Sequence, residues 1–276
     1  KIPRNIIEEG LKTVPKREEF VLYGRTPDKD VHVKDRVPSL AAMTMATHVL
    51  DPETGLRRKA TDRDLALITR IMEKLDTVTI ASALVTPQDV PMAASDWYTW
   101  ATSIKNTTKH ITGGAVGKEG VRDAIKMASL AVGSEEEFLK RPFISFWVLT
   151  MPPLRVDENT SNVLMEAAVH KVPSVISSGG ILGMTSPMSV ESALVHTHAE
   201  TLACIALSQL VNPGAPVIYF QLCAQYGYED HVHQHVLTGE YHHEGGNVTD
   251  GRLCGAAHKD ARQPARRQGS GCAGRI

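Results

Sequence analysis

Two sets of residues have types and spacing that could do chemistry. The first lies near the C-terminus. His231, His233 and His235 alternate, His242 and His243 come next, and Cys223 and Cys254 are near in sequence. Alternating side chains share one face of a strand, and imidazole and thiolate are metal ligands. The spacing matches none of the common zinc patterns, so chance ion binding is favoured over a built site and no metal is expected. The second set sits on segments that read as strands and strand ends. Gln88 and Asp89 occupy a loop, His110 begins a strand, Trp147 lies within one, and Ser177 and Ser178 end one. Amide, carboxylate and hydroxyl groups can hold a polar ligand. Each residue also has a plain structural use: loop packing or capping for Gln88 and Asp89, core packing for Trp147 and turn formation for the serines. His110, at the start of its strand, reads as lying at the far end from a site. His196 and Glu200 stand one helical turn apart and could pair, with a surface or interhelical contact the plainer use. Cys204, inside a helical pattern, reads as core.

The second set needs a scaffold, and the sequence supplies a ladder. Five β-rich runs, VTIASALV, HITGGAV, FISFWVL, PSVISSG and APVIYF, start at residues 78, 110, 143, 173 and 215, so 32, 33, 30 and 42 residues apart. Each gap holds an amphipathic helical pattern. Spacing near 30 residues is that of βαβ units with parallel strands. Strands this apolar on both sides belong inside a helix-covered parallel sheet. Five such units in a row predict an α/β fold, an incomplete (β/α)8 barrel. An open doubly wound sheet is the alternative, disfavoured because no Gly-rich nucleotide fingerprint comes after the first run. In a barrel the C-terminal strand ends carry the site, which is why Gln88, Asp89, Ser177 and Ser178 are singled out.

The other elements lie along the chain in this order. Residues 4–13 carry Ile6, Ile7 and Leu11 at helical spacing, with Pro15 after the end. FVLYGR–TPDKD–VHV reads as a β-hairpin with a Pro-Asp turn at 27–28. Asp51 to Gly55 make a turn. Thr61 caps a helix whose buried stripe is Leu65, Ile68, Ile71, Met72 and Leu75. The second strand is expected to end in Gly113-Gly114 and the fourth in Ser177-Ser178-Gly179-Gly180. The third breaks at Met151-Pro152-Pro153, and the longest helix covers 189–211. This divides the chain into an N-terminal helix and hairpin segment (1–60), a partial barrel (61–219) and a disordered tail (220–276).

Composition limits the function classes. The 276 residues are 42% hydrophobic and 22% charged, globular values. A net charge of −1 gives no electrostatic case for nucleic acid or an anionic membrane as partner. No apolar run has the length of a transmembrane helix, and no secretory signal is recognised. Four Cys do not make a disulfide framework at this size, so a reducing cytoplasm is expected. The start at Lys1, inside what reads as a helix, is taken as an N-terminal fragment.

Six segments of the chain carry a resemblance. VLDPETG, VTPQDVP, NTTKH, RPFISFWVLTMPPL, VPSVISSGGILG and HAETLACIALSQLVNPGAPVIY, in that order, resemble the trimethylamine methyltransferase family across residues 1–219. The nearer likeness is to its branch without pyrrolysine, typified by glycine betaine:corrinoid methyltransferase. The resemblance implies a (β/α)8 barrel, agreeing with the ladder. It implies methyl transfer from a quaternary or tertiary methylamine to the Co(I) of a corrinoid (cobalamin) carried, without covalent attachment to this chain, by a cognate partner protein. A quaternary nitrogen is already cationic and leaves as a neutral amine, so no general acid is needed. Such a cation is held by aromatic faces and carboxylates, roles open to Trp147 and Asp89. The carboxylate of a betaine wants hydroxyl or amide donors, a role open to Ser177 and Ser178, with Gln88 beside Asp89. No catalytic residue is singled out.

The tail departs from this pattern. Residues 220–276 hold six of the twelve His, three of the four Cys and none of the nine Met, and only seven of the 57 are Leu, Ile or Val. Such a segment buries too little apolar surface to offset its ordering entropy. Codons for Phe220 onward can be chosen so that a one-base shift reads a family-like, Met-rich segment with Ser-Pro-Glu as a helix start. The expectation is a frameshift near Phe220, with the His-rich tail an unselected translation. On that reading the chain is a truncated, inactive form of the enzyme. A non-catalytic remnant and a metal-binding module are the alternatives.

Overall fold

The ladder forms where its spacing predicts. The structure is a computed structural model, and it describes residues 3–16, 20–33, 40–41, 45–226, 233–240 and 254–255. Helix α1 spans Arg4–Lys12, and strands β1 (Val21–Leu22) and β2 (Val31–His32) pair antiparallel around a short 3-10 turn at Pro27–Lys29, the predicted hairpin. Strand β3 is Leu40–Ala41. Strands β4 (His48–Leu50) and β5 (Arg57–Lys59) pair antiparallel across the predicted 51–55 turn. Then the βα units run α2 (Asp62–Lys74), β6 (Val78–Ser82), α3 (Ser95–Asn106), β7 (His110–Gly113), α4 (Gly117–Val132), α5 (Glu135–Lys140), β8 (Ile144–Leu149), α6 (Glu158–Val169), β9 (Ser174–Leu182), α7 (Val190–Val211) and β10 (Val217–Tyr226). Strands β11 (His233–Glu240) and β12 (Cys254–Gly255) come last.

The sheet order is β12-β11-β10-β9-β8-β7-β6-β3. The β3–β6, β6–β7 and β7–β8 ladders are parallel. The β8–β9 bonds advance in the same direction on both strands, Phe146 N–H to Pro173 O and Thr150 N–H to Ser177 O, so this pair is parallel too. An α/β fold with five βα-type strands in sequence order is an incomplete (β/α)8 barrel. Beyond Phe220 the strand does not stop. Residues 220–226 pair antiparallel with β11, and β11 with β12, so the described part of the tail is strand.

Local sequence accounts for the elements. Thr61 caps α2 through a capping box: its hydroxyl accepts from Asp64 N–H while Asp64 Oδ2 accepts from Thr61 N–H at 2.9 Å. Arg58 donates to Asp64 at 2.6 and 2.9 Å and holds that carboxyl well below the usual range. The α2 stripe is narrower than predicted. Leu65, Thr69 and Met72 are buried, because positions i, i+4 and i+7 align on a helix; Ile71 falls to the side and is exposed, and Leu75, the extended C-cap, lies beyond the helix and is exposed. Two glycine pairs read as strand ends prove different from each other. Strand β7 does end at Gly113, where an added Cβ would meet the Trp100 ring at 2.8 Å. Strand β9 runs on through Gly179 and Gly180 to Leu182. Gly180 serves close approach and not a turn, since a Cβ there would collide with Ser186 Oγ and meet Thr197 Cγ2 at 3.1 Å.

The chain divides into two compact units, one of residues 1–148, 158–175 and 205–218, the other of 149–157, 176–204 and 219–276. In the first unit the outward face of β7 and β8 is apolar. Ile111, Ile144, Phe146 and Val148 are buried there, and Trp100 of α3 meets Phe146 edge-on at 5.6 Å. The β1–β2 hairpin binds the N-terminal strand ends of this unit. Arg25 N–H donates to Thr108 O at 2.7 Å, and Arg141 reaches both Asp30 oxygens at 2.8 and 2.9 Å while stacking over Tyr23.

Candidate functional site

Strand residues two apart share a face, so the face of β6–β8 opposite the helices can be read from parity. In the first unit that face is polar. Ser82, Thr112 and Ser145 are register partners and make one row across three strands. His110 lies below this row and Trp147 above it, toward the C-terminal strand ends. His110 is fully buried, with Nδ1 3.0 Å from Tyr23 O and Nε2 2.9 Å from Ser145 Oγ. Burial pushes its pKa down to about 4, so at neutral pH it is an uncharged hydrogen-bonding group. Its place at the strand start and its full complement of partners make it structural, as its position predicts. Thr112 Oγ1 is buried without a hydrogen-bond partner among the described residues. Trp147 is half-buried and lines a cleft with Met45, Ser82, Ala83, Thr112, Gly113 and Gly114. The cavity there is about 10 Å³, room for roughly one water.

Gln88 and Asp89 lie in the predicted loop after β6, and both are exposed. Gln88 Nε2 donates to Thr86 O at 3.1 Å, within its own loop. Asp89 Oδ1 accepts from Asp62 N–H at 2.9 Å, so its carboxylate sits on the positive N-terminus of α2. Neither residue lines the Trp147 cleft.

The second unit holds a denser polar cluster. Glu200, only 4% exposed, lies on α7. Its Oε2 accepts from Thr150 Oγ1 and from Ser178 Oγ, each at 2.6 Å, and its Oε1 accepts from Leu154 N–H at 2.5 Å. His196 Nδ1 is 3.8 Å from Oε1, too far for a hydrogen bond. Thr150 comes directly after β8 and Ser178 lies midway along β9, so the cluster ties two adjacent strands to one helix. Ser177 is fully buried and its hydroxyl has no partner among the described residues. Burial, with Glu200 adding to it, pushes the Cys204 thiol up to about 12. It is therefore a thiol at neutral pH and no nucleophile. His198 Nδ1 lies 2.9 Å from the Tyr219 hydroxyl, and burial lowers its pKa.

Thus Trp147 belongs to the first unit, and Ser177 and Ser178 belong to the second. Helical spacing pairs Glu200 with His196 and misses its real partners. Thr150, Leu154 and Ser178 lie 50, 46 and 22 residues away, beyond any local pattern. The one available signal is the hydroxyl residues themselves, Thr150 just after β8 and Ser178 within β9. Of the tail residues read for metal binding, His231, His242 and His243 lie outside the described residues. Cys223, His233, His235 and Cys254 fall on β10, β11 and β12. Among the described residues no three His, Cys, Asp or Glu are placed to share a metal ion, and no helix is long and apolar enough to cross a membrane.

Comparison with known proteins adds a family. The model described as trimethylamine methyltransferase (MTTB) matches residues 1–226. The chain is similar to trimethylamine methyltransferase MttB of Desulfitobacterium hafniense strain DSM 10664 / DCB-2, with 31% identity over 219 residues, 79% of this chain and 44% of that protein. It is similar to glycine betaine methyltransferase of Desulfitobacterium hafniense strain Y51, with 30% identity over 223 residues, 79% of this chain and 45% of that protein. It is also similar to trimethylamine methyltransferase MttB of Methanosarcina barkeri strain Fusaro / DSM 804, with 28% identity over 228 residues and the same coverage, 79% and 45%. The chain spans somewhat less than half the length of these relatives.

Proposed function

The chain belongs to the trimethylamine methyltransferase family, and from that premise we propose that it derives from an enzyme moving a methyl group from a methylamine or betaine to the corrinoid of a cognate partner protein. The observation that carries this reading is the family match over residues 1–226, with relatives named for both trimethylamine and glycine betaine. A cytoplasmic setting goes with it, and neither nucleic acid nor membrane is a partner.

The chemistry asks little of the protein beyond binding and orientation. The methyl-bearing nitrogen of a betaine is cationic before transfer and neutral after it. The protein must hold a cation, exclude competing water and leave one side open. In the first unit the indole of Trp147 is the proposed cation face, supported by its place above the polar Ser82–Thr112–Ser145 row. In the second unit, as a separate candidate, Ser177 is a proposed donor to a carboxylate, supported by a buried hydroxyl that has no partner among the described residues; Ser178, next in sequence, is engaged with Glu200. Gln88 and Asp89 belong to the proposal as the loop after β6, with Asp89 already holding the α2 terminus. The corrinoid supplies the nucleophile to which the methyl passes.

We propose further that the 276-residue chain alone does not catalyse transfer. The family match stops at residue 226, and the composition of the tail suits an out-of-frame translation. The test is methyl transfer from glycine betaine or trimethylamine to free cob(I)alamin, tracked by visible absorbance. The chain with its frame restored after Tyr219 is expected to transfer methyl groups and the present chain is not. Transfer by neither form removes the enzyme reading, and equal transfer by both removes the claim of inactivity.

A further inference from the structure

The Glu200 cluster is built to act on a loop. After β8 the main chain passes through Thr150, Met151, Pro152, Pro153, Leu154 and Arg155. Met151 N–H donates to Arg155 O at 2.8 Å and closes this segment on itself. Leu154 sits at φ 51°, the left-handed region that a leucine seldom occupies. Its N–H points at Glu200 Oε1. Two apolar side chains of the segment point largely to solvent: Met151 is 49% exposed and Leu154 65%. A buried carboxylate therefore anchors the backbone while Met151 and Leu154 are presented outward. Packing alone does not call for such an arrangement, since a buried carboxylate is costly to desolvate.

We propose that Glu200 is a positioning residue, which sets the loop 150–155 at the C-terminal end of β8 by accepting from Thr150, Ser178 and the Leu154 amide. It does not touch substrate, because both of its oxygens are engaged and it is buried. The relevance of the loop to methyl transfer rests on the proposed methyltransferase function, with the reaction at the C-terminal strand ends as in other barrels. The anchoring itself can be measured without any reaction.

The roles of geometry and charge separate by substitution. Glutamine has the shape of glutamate. Its carbonyl can take the Leu154 N–H and its amide can donate to the two hydroxyls, which rotate to suit. Alanine leaves all three donors without an acceptor. The experiment is amide hydrogen exchange on the full chain, read at Met151, Leu154 and Arg155. Glu200→Ala is expected to speed exchange at Leu154 about tenfold or more relative to the β7 amides of the same sample, and Glu200→Gln is expected to stay within about threefold of the unaltered chain. If Glu200→Ala fails to fold, Thr150→Val and Ser178→Ala each remove one donor and are expected to raise Leu154 exchange by a smaller factor, with β7 unchanged. A loop as protected in the alanine variant as in the unaltered chain overturns the proposal. So does a glutamine variant as fast as alanine, which would mean that the charge and not the geometry is what matters. Failure of methyl transfer leaves these outcomes intact, so the two ideas fail separately.

Discussion

The inner row of the first unit and the Glu200 cluster of the second bury polar groups in opposite ways, although the first unit elsewhere buries Lys109 and Glu166. In the first, the inner row of β6, β7 and β8 is made of groups without charge: Ser82, Thr112, Ser145 and a His110 kept neutral by burial. One of these, Thr112, has no partner among the described residues. In the second unit a carboxylate, Glu200, is buried and each of its oxygens is engaged, by donors from three separate positions on two chain segments. The neutral row needs only a little hydrogen bonding and lets the apolar outer face supply stability. The carboxylate needs dedicated donors, and one of them is the backbone of a strand-end loop. At Glu200 the buried charge holds a backbone, whereas the neutral row lines a wall.

That contrast can be broken at its strongest point first. If the outer apolar face carries the stability of the first unit, Trp100→Ala is expected to cost about 3–5 kcal/mol in denaturant unfolding, as for other large core aromatics. A loss below about 1 kcal/mol would mean that the face is poorly packed and the contrast is wrong. Next comes His110. Its folded pKa lies near 4, below the ordinary 6.5, so between these values the unfolded chain binds the extra proton. Stability from keeping it neutral is thus full above pH 6.5 and is lost as pH falls toward 4. The span corresponds to about 3 kcal/mol. Unfolding titrations over this range should show the loss, and His110→Gln should flatten it; an unaltered slope in the variant assigns the acid sensitivity elsewhere. The smallest effect is at Thr112. Thr112→Val replaces a buried hydroxyl that has no partner among the described residues with a methyl of similar size. It is expected to be neutral or stabilising by up to about 1 kcal/mol. A clear destabilisation would reveal a partner for that hydroxyl.

Much of the scaffold is legible in sequence, and the reason is locality. The five strand runs are apolar, β-branched and bounded by Gly and Pro, and Thr61 with Asp64 forms a capping box within four residues. The short helix α5 is absent from the sequence reading because EEEFLK has no apolar period, although Ser134 and Glu137 three positions on carry a cap signature, and Ser134 Oγ does accept from Glu137 N–H. Gly180 is ambiguous by nature, since a glycine needed for a turn and one needed for close approach look alike in sequence. The candidate site is the least legible part. Trp147 could be placed on a strand, but its cleft with Met45 depends on residues about a hundred positions away. Glu200 shows only its helical neighbour His196, because its true partners are set by tertiary structure.

The most direct measurement is the DNA sequence of the source across the codons for Tyr219 and Phe220. One base missing or added there is the expected result. Restoring the frame would then continue the family sequence past the matched residues 1–226 and join the methyltransferase reading to a full-length protein. A reading frame found unchanged would contradict it. The strands after Phe220 would then be the encoded product, and His233 and His235 on β11 would call for a metal-binding assay in place of a methyl-transfer assay.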